Sequence, residues 1–255
     1  VPRAKHARTL HLSGDRGAAL PLFEALMARM PGPEASTPDA STVREDFGER
    51  LAAEGRPELG IPLLRAALAG FQQKANFEFD QRRCRRNLGD ALARAGQMAE
   101  ARRVLALSLT DYEAHDPPAS QPLAAARERW ARLLLDLGDL PQAQVQFQQV
   151  VAAAANKTWA HVSLAHAGLA RVALAQGELQ AALQHSADAL AGWQALTGFR
   201  DVRMQAYLWR VRAAVLAAAG DGAGAQALRD QAEAAARRTD APGSPTVTQP
   251  LFLGL

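Results

Sequence analysis

The sequence predicts an all-α fold, a solenoid of about six stacked helix–turn–helix repeats. Three observations predict it. First, glycine returns at nearly constant distance, as Gly14, Gly55, Gly96, Gly138, Gly177 and Gly220, with intervals of 41, 41, 42, 39 and 43 residues. Second, small side chains frame every one of these glycines. Seven residues earlier stand Ala7, Gly48, Gly89, Ala131, Ala170 and Ala213, and five residues later stand Ala19, Gly60, Ala101, Ala143, Ala182 and Ala225. Third, Ala and Leu dominate a chain that is 48% hydrophobic but only 5% aromatic, the balance of close-packed helices with little side-chain entropy to lose. Arrays of this kind bind partners more often than they transform substrates.

Each element follows from local chemistry. Repeat one is centred on Gly14, with Asp15 placed to cap its second helix and Pro21 seven residues beyond the glycine. Residues 31–41, PGPEASTPDAS, read as the longest linker. Repeat two is centred on Gly55, and Pro57 sits in the first turn of its second helix, where a missing N–H costs little. Pro62 mirrors Pro21, so the second helices of repeats one and two are expected to start late or bend. Repeat three is the clearest. Leu88, Ala91, Leu92 and Ala95 make a helical stripe, Gly96 ends it by adopting positive φ, and Ala101, Val104, Leu105 and Ser108 make a second stripe. Residues 115–121, HDPPASQ, break the chain before repeat four, whose Gly138 is followed by Asp139 as an N-cap and by Pro141. Repeats five and six surround Gly177 and Gly220, with Asp221 as the last N-cap. The repeats occupy residues 1–238, and 239–255 leave the pattern as a C-terminal tail. The small positions let helix axes approach closely, so a leucine at Ala131 or Ala143 should cost about 1–3 kcal/mol. Phe71, Tyr112 and Trp193 share one offset, sixteen residues after their glycines, and are expected in the core. Phe77, Phe79 and Trp159 are expected at helix starts, either packed between repeats or edging a surface.

The frame of small residue, glycine seven later and alanine five later resembles the tetratricopeptide repeat. Repeat three carries it best, as Leu88-Gly89, Leu92, Gly96 and Ala101, and repeat six adds Trp209 four residues before Ala213. The resemblance spans about nine-tenths of the chain, with units about seven residues longer than the common 34. Such units are similar to those of kinesin light chains and of bacterial regulators of the maltose-activator type. The resemblance implies antiparallel helix pairs wound into a right-handed superhelix, and a non-catalytic role in binding proteins or peptides. A narrower likeness concerns the segments Asp201–Arg210 and Asp240–Ser244, which are similar to the ends of the repeat regions of proteobacterial Ser/Thr kinases. That likeness implies a sensory or regulatory module of a larger bacterial signalling protein, periplasmic in that setting and cytoplasmic otherwise. The kinase elements themselves (Gly-rich loop, catalytic lysine, HRD, DFG) are missing from this sequence. The chain opens inside repeat one without a methionine and reads as part of a longer protein.

In that family the first helices line a concave groove. Carrying over the groove-facing offsets selects Thr42, Glu45 and Glu49 in repeat two, and Arg83, Arg86 and Asp90 in repeat three. It selects Glu128 and Arg132 in repeat four, Leu164 and Arg171 in repeat five, and Tyr207 and Arg210 in repeat six. An arginine thus recurs on four consecutive repeats, suited to an acidic peptide or a C-terminal carboxylate. Reversal of Arg132 and Arg171 to Glu is expected to abolish such binding with the helices intact. The competing reading pairs the arginines with Glu45, Asp90, Glu128 and Asp136 across neighbouring helices. A sugar-like pocket near Trp159 or Tyr207, a plain scaffold and a homodimer are the remaining alternatives. The run Arg82–Arg86 encircles its helix, so its members cannot all face one ligand.

Other function classes find little support. The net charge is only +3 and lysine occurs only at Lys5, Lys74 and Lys157, so no nucleic-acid partner is expected. Cys84 is the one cysteine, which excludes an intrachain disulfide and a Cys-pair metal site and reads as a buried, inert thiol. No apolar run reaches the roughly 18 residues of a membrane span. His161 and His166 lie about 140° apart on a helix, so they do not pair toward one metal. Ser163 between them lacks a nucleophile elbow, and no phosphate-binding loop is present. No catalytic residue, metal or cofactor is expected.

Overall fold

The computed structural model describes residues 6–7, 9–10, 16–28, 38–73, 75–154, 158–197 and 201–239. Gly14, Asp15, residues 31–37 and the tail from residue 240 lie outside them. Among the described residues there are eleven helices and no strand: α1 (Arg16–Ala28), α2 (Pro38–Ala53), α3 (Pro57–Gln72), α4 (Glu78–Arg94), α5 (Met98–His115), α6 (Gln121–Asp136), α7 (Leu140–Ala153), α8 (Ala160–Ala175), α9 (Leu179–Gln194), α10 (Val202–Ala218) and α11 (Gly222–Thr239). Residues 6–7 and 9–10 are also helical. The chain forms two compact units, divided between Asp111 and Tyr112.

The periodic glycines are helix stops. Gly55, Gly96, Gly138, Gly177 and Gly220 have φ of 79°, 73°, 80°, 78° and 86°, a conformation in which any Cβ meets the backbone. Each closes the same six-residue motif. The N–H following the glycine donates to the carbonyl five residues back, as Gln97 to Leu92 at 2.9 Å and Asp139 to Leu134 at 2.9 Å, while the glycine N–H donates three residues back. This is the Schellman arrangement, which satisfies carbonyls the helix end would otherwise orphan. The accepting residue, four before the glycine, is Leu51, Leu92, Leu134 or Leu216, with Ala173 in the place before Gly177, and it marks the last full turn of the first helix. Asp139 caps α7 through the Gln142 N–H at 3.3 Å, and Asp221 accepts from Gly224 at 2.8 Å. Ser120 caps α6 through Leu123 at 3.3 Å, just where the 115–121 break ends.

Two local expectations are corrected. Pro62 does not delay its helix, since α3 runs from Pro57 through Pro62 to Gln72, and α1 likewise contains Pro21. Both prolines face solvent, so water can satisfy the carbonyl one turn earlier that loses its N–H partner. The linker read over 31–41 also reaches too far. Pro38–Ser41 belong to α2, because a proline is readily accommodated as the first helical residue.

Small residues draw the two helices of each hairpin together. In the first unit a Cβ on Gly48 would stand 2.9 Å from the Gly60 carbonyl oxygen, and one on Gly60 would overlap the Gly48 carbonyl oxygen. In the second unit Ala131, Ala143, Ala170 and Ala182 are all fully buried. Around these seams the cores are apolar. Phe23 stacks on Phe47 at 5.1 Å beside Ala7 and Leu51. Trp193, Leu208, Val211 and Val215 pack with Leu164 and the alanines of α8, each large side chain contributing about 1.5–3 kcal/mol by burial. Phe71, Tyr112 and Trp193 are buried as expected, and Phe77 stacks on Phe71 at 5.9 Å. Cys84 is fully buried, its thiol donating to the Leu64 carbonyl at 3.3 Å, and burial pushes its pKa well up.

First helices also pack on first helices, α2 on α4 in the first unit, and α6 on α8 and α8 on α10 in the second. That layer positions the polar residues considered next. No helix among the described residues is long and apolar enough to cross a membrane.

Candidate binding surface

In the first unit the predicted surface residues gather around Glu45. Its carboxylate is almost fully buried and receives Arg83 in a forked pair, Nε to Oε1 at 2.9 Å and Nη2 to Oε2 at 2.6 Å. Asn87 donates to the same carboxylate at 2.9 Å, and Arg83 also meets Asp80 at 2.9 Å. Burial raises the Glu45 pKa, with Arg83 opposing the rise. Burial alone would lower the Arg83 guanidinium, but Glu45, Asp80 and Asp46 together hold it above the usual arginine range. Arg86 approaches Asn87 Oδ1 at 3.5 Å. Asp90 accepts from Arg94 Nε at 3.1 Å, and Glu49 pairs with Arg50 at 2.9 Å. The guanidiniums of Arg82 and Arg83 lie 5.9 Å from the centre of the half-exposed Phe79 ring.

The second unit builds a longer network across three first helices. On α6, buried Glu128 accepts from Arg129 at 2.9 Å and from Arg132 at 3.1 Å. One turn further on, Asp136 accepts from Arg171 of α8 at 3.2 Å. The buried Tyr207 side chain of α10 lies beside Arg171 and interacts with it electrostatically. Tyr207 is buried, which raises its pKa against the pull of Arg171 and Arg132 and keeps it a neutral phenol. Asp136 and Tyr207 together raise the Arg171 guanidinium against its own burial. Leu164 leaves this surface for the hydrophobic core. Trp159 packs against the core of α6 and α7.

Three groove arginines are therefore engaged with carboxylates: Arg83 with Glu45, Arg132 with Glu128, and Arg171 with Asp136. Arg210, half-buried on α10, has no hydrogen-bond or ion-pair partner among the described residues. It stands one turn from Tyr207, on the same helix face. This placement changes the choice of probe. Reversing Arg132 and Arg171 would bury new carboxylates beside Glu128 and Asp136, so unfolding would mask any loss of binding.

The two units differ in charge. In the first, α2 and α4 carry seven arginines and seven carboxylates. In the second, α6, α8 and α10 carry Arg127, Arg129, Arg132, Arg171, Arg203, Arg210 and Arg212 against only Glu128 and Asp136. Some of this excess is met from outside the layer. Arg127 reaches Glu113 at 3.2 Å, Arg203 pairs with Asp201 at 2.6 Å, and Arg212 donates to the Leu183 carbonyl at 2.7 Å.

The sequence pattern missed one cluster. His166 is not joined by His161; instead His185 and Asp188 of α9 come to it, each offering a donor atom within 4.8 Å of the others. Eleven residues before Gly177 and eight after it, His166 and His185 occupy facing positions of an antiparallel pair, as Gly48 and Gly60 do around Gly55. That mirrored offset was the available signal. Burial lowers the His166 pKa, with Asp188 opposing and His185 adding to the fall.

No family model matches the sequence, and no curated protein matches it. Solved structures do. BtubC (BKLC) from P. vanneervenii aligns over 100% of this chain and 95% of its own at a TM-score of 0.60 and 18% identity. A putative kinesin light chain of Podosopora anserina with nearly identical TPR-like repeats covers 80% of this chain and 98% of its own, at 0.57 and 20%. The fold is that of tetratricopeptide-type repeats. PilW, a type IV pilus biogenesis factor, adds a third likeness at 0.58 and 17%, over 91% of each chain. At these identities the tetratricopeptide relationship concerns the fold, with antiparallel pairs turned on a positive-φ glycine.

Proposed function

We propose that this chain is a non-catalytic protein- or peptide-binding module whose partner presents carboxylates to the first-helix face of the second unit. The observation that carries this reading is the seven-to-two excess of arginine over carboxylate on α6, α8 and α10, with Arg210 unpartnered among the described residues. Guanidinium forks bind carboxylates bidentately, and a one-sign surface steers an oppositely charged partner at low salt. The structural relatives support the repeat fold on which such a surface is built. The finer setting, a sensory region beside a Ser/Thr kinase, rests on the sequence resemblance at Asp201–Arg210 and Asp240–Ser244.

The test is fluorescence anisotropy with a labelled Glu/Asp-rich dodecapeptide carrying a free C-terminus, beside its amidated form and a Gln/Asn analogue. Binding of the acidic peptide should weaken with salt and fall at least about tenfold in Arg210→Glu. A preference for the free over the amidated end would identify a terminal-carboxylate clamp. Equal binding of the acidic and neutral peptides, or an Arg210→Glu chain with unchanged affinity, would sink the assignment.

A further inference from the structure

One group of ligand-type side chains lies outside the arginine network. His166 on α8 and His185 on α9 turn their Nδ1 atoms toward each other at 3.3 Å, with rings tilted by 40° and centroids 5.5 Å apart. Asp188, one turn beyond His185, places Oδ2 4.0 Å from His166 Nδ1. Gln184 donates to the other carboxylate oxygen, Oδ1, at 2.9 Å, which leaves Oδ2 for the histidines. All three residues are partly exposed, so an ion has a route in.

We propose that His166, His185 and Asp188 bind a divalent transition-metal ion, zinc foremost, with water completing the coordination. Two neutral imidazoles that face Nδ1 to Nδ1 can share only one proton, and 3.3 Å is longer than ordinary nitrogen-donor hydrogen bonds. The same separation suits a metal. Two nitrogens each about 2.0–2.1 Å from a tetrahedral zinc stand about 3.3 Å apart. The carboxylate oxygen needs to close by about 0.7 Å to reach that edge length, a small side-chain rotation from a helix surface. Two imidazoles and one carboxylate form a set suited to zinc and its transition-metal neighbours, whereas magnesium and calcium take oxygen ligands.

The backbone prepares this site in advance. His185 and Asp188 are three apart on one helix and share a face. The Gly177 turn and the buried Ala170 and Ala182 hold α8 against α9, so the His166–His185 approach does not depend on an ion. A metal there would link the two helices of repeat five. The acidic-peptide reading does not enter this argument.

The experiment uses the whole, untagged chain, stripped with EDTA and titrated with zinc chloride by calorimetry and by competition with a chromophoric chelator. One zinc per chain should bind at about 10 µM or tighter, with a rise in thermal midpoint that EDTA reverses. Cobalt should give the intense visible bands of tetrahedral coordination. His166→Gln and His185→Gln should each weaken zinc at least about thirtyfold, and Asp188→Asn about tenfold. Wild-type binding weaker than about 100 µM, or unchanged stoichiometry and affinity in a folded His166→Gln/His185→Gln chain, would overturn the proposal. Should that double variant misfold, imidazole-nitrogen NMR of the wild type decides. Zinc-induced shifts confined to His166 and His185 support the site, and shifts elsewhere refute it.

Discussion

Gly48→Ala tests whether small residues set the spacing of a hairpin. Gly48 lies inside α2, where alanine should gain about 1 kcal/mol of helix propensity over glycine. Against that gain stands the neighbouring helix. The new Cβ would sit 2.9 Å from the Gly60 carbonyl oxygen, 3.0 Å from Leu64 Cγ and 3.1 Å from Leu63 Cβ. Ordinary carbon contacts begin at about 3.5 Å, so the methyl is several tenths of an ångström too close to three atoms. Leu64 Cγ can swing away about χ1, but Leu63 Cβ and the Gly60 carbonyl are fixed to the α3 backbone, so the helix axes must part. Overpacking of this kind costs typically 1–3 kcal/mol and occasionally more. Because backbone must move, the upper end applies, and a net loss of about 2 kcal/mol remains after the propensity gain. Gly222→Ala is the internal control. It too stands in a helix, but a Cβ there meets nothing within 4 Å, so it should be neutral or stabilising by up to about 1 kcal/mol. Urea denaturation followed by far-ultraviolet circular dichroism compares the two. If Gly48→Ala proves as stable as Gly222→Ala, small residues at these offsets do not govern hairpin spacing.

Two further outcomes follow from the polar layer. Glu128→Gln should destabilise the chain by about 3 kcal/mol, since it removes the negative charge that Arg129 and Arg132 meet in a site where the carboxylate side chain is 2% exposed; a loss under about 1 kcal/mol in urea would show that the pairs do not hold α6. Tyr207 has a folded-state pKa above its ordinary value of 10.0, raised by burial, so the stability it contributes is present below that ordinary value and is lost as pH rises through the folded one. Wild-type urea midpoints should therefore fall steeply above about pH 10, and those of Tyr207→Phe less so; parallel pH curves would contradict the buried phenol.

How much was legible divides by the range of the interaction. Each hairpin is a local object, so the turn glycines, the caps at Asp139 and Asp221 and the small seam positions could be read from spacing alone. The errors at Pro38 and Pro62 were also local. Both treated proline as a breaker where exposure or the first helical position accommodates it. Leu164 went astray because one offset was assumed to keep one environment in every repeat. Repeat five presents Leu164 to the Trp193 core instead. The polar network was half-readable. Arg171 with Asp136 joins positions 35 residues apart, close to one repeat period, so pairing along the first-helix layer is periodic and was anticipated. The approach of Tyr207 to Arg171 could not be read from charge, since the neutral phenol carries none. The histidine pair needed a different rule, reflection about the turn glycine in place of translation by a repeat.

Scaffold and recognition can be separated by asking which charges the fold already uses. Glu45 and Asp136 are consumed in holding Arg83 and Arg171 between neighbouring first helices, and Glu128 in holding Arg132 one turn along α6; buried pairs between helices fix relative placement more reliably than they add stability. A side chain so engaged would have to give up its partner to meet a ligand, and the ligand would have to replace that partner. Arg210 bears no such obligation, and it lies in the layer where positive charge exceeds negative. The same hairpin frame carries a balanced set of charges on α2 and α4. The excess on α6, α8 and α10 is therefore not a requirement of the repeat. Arg210, a positive charge that no group among the described residues engages, lies in the layer where consecutive first helices meet and is the feature that a partner can select.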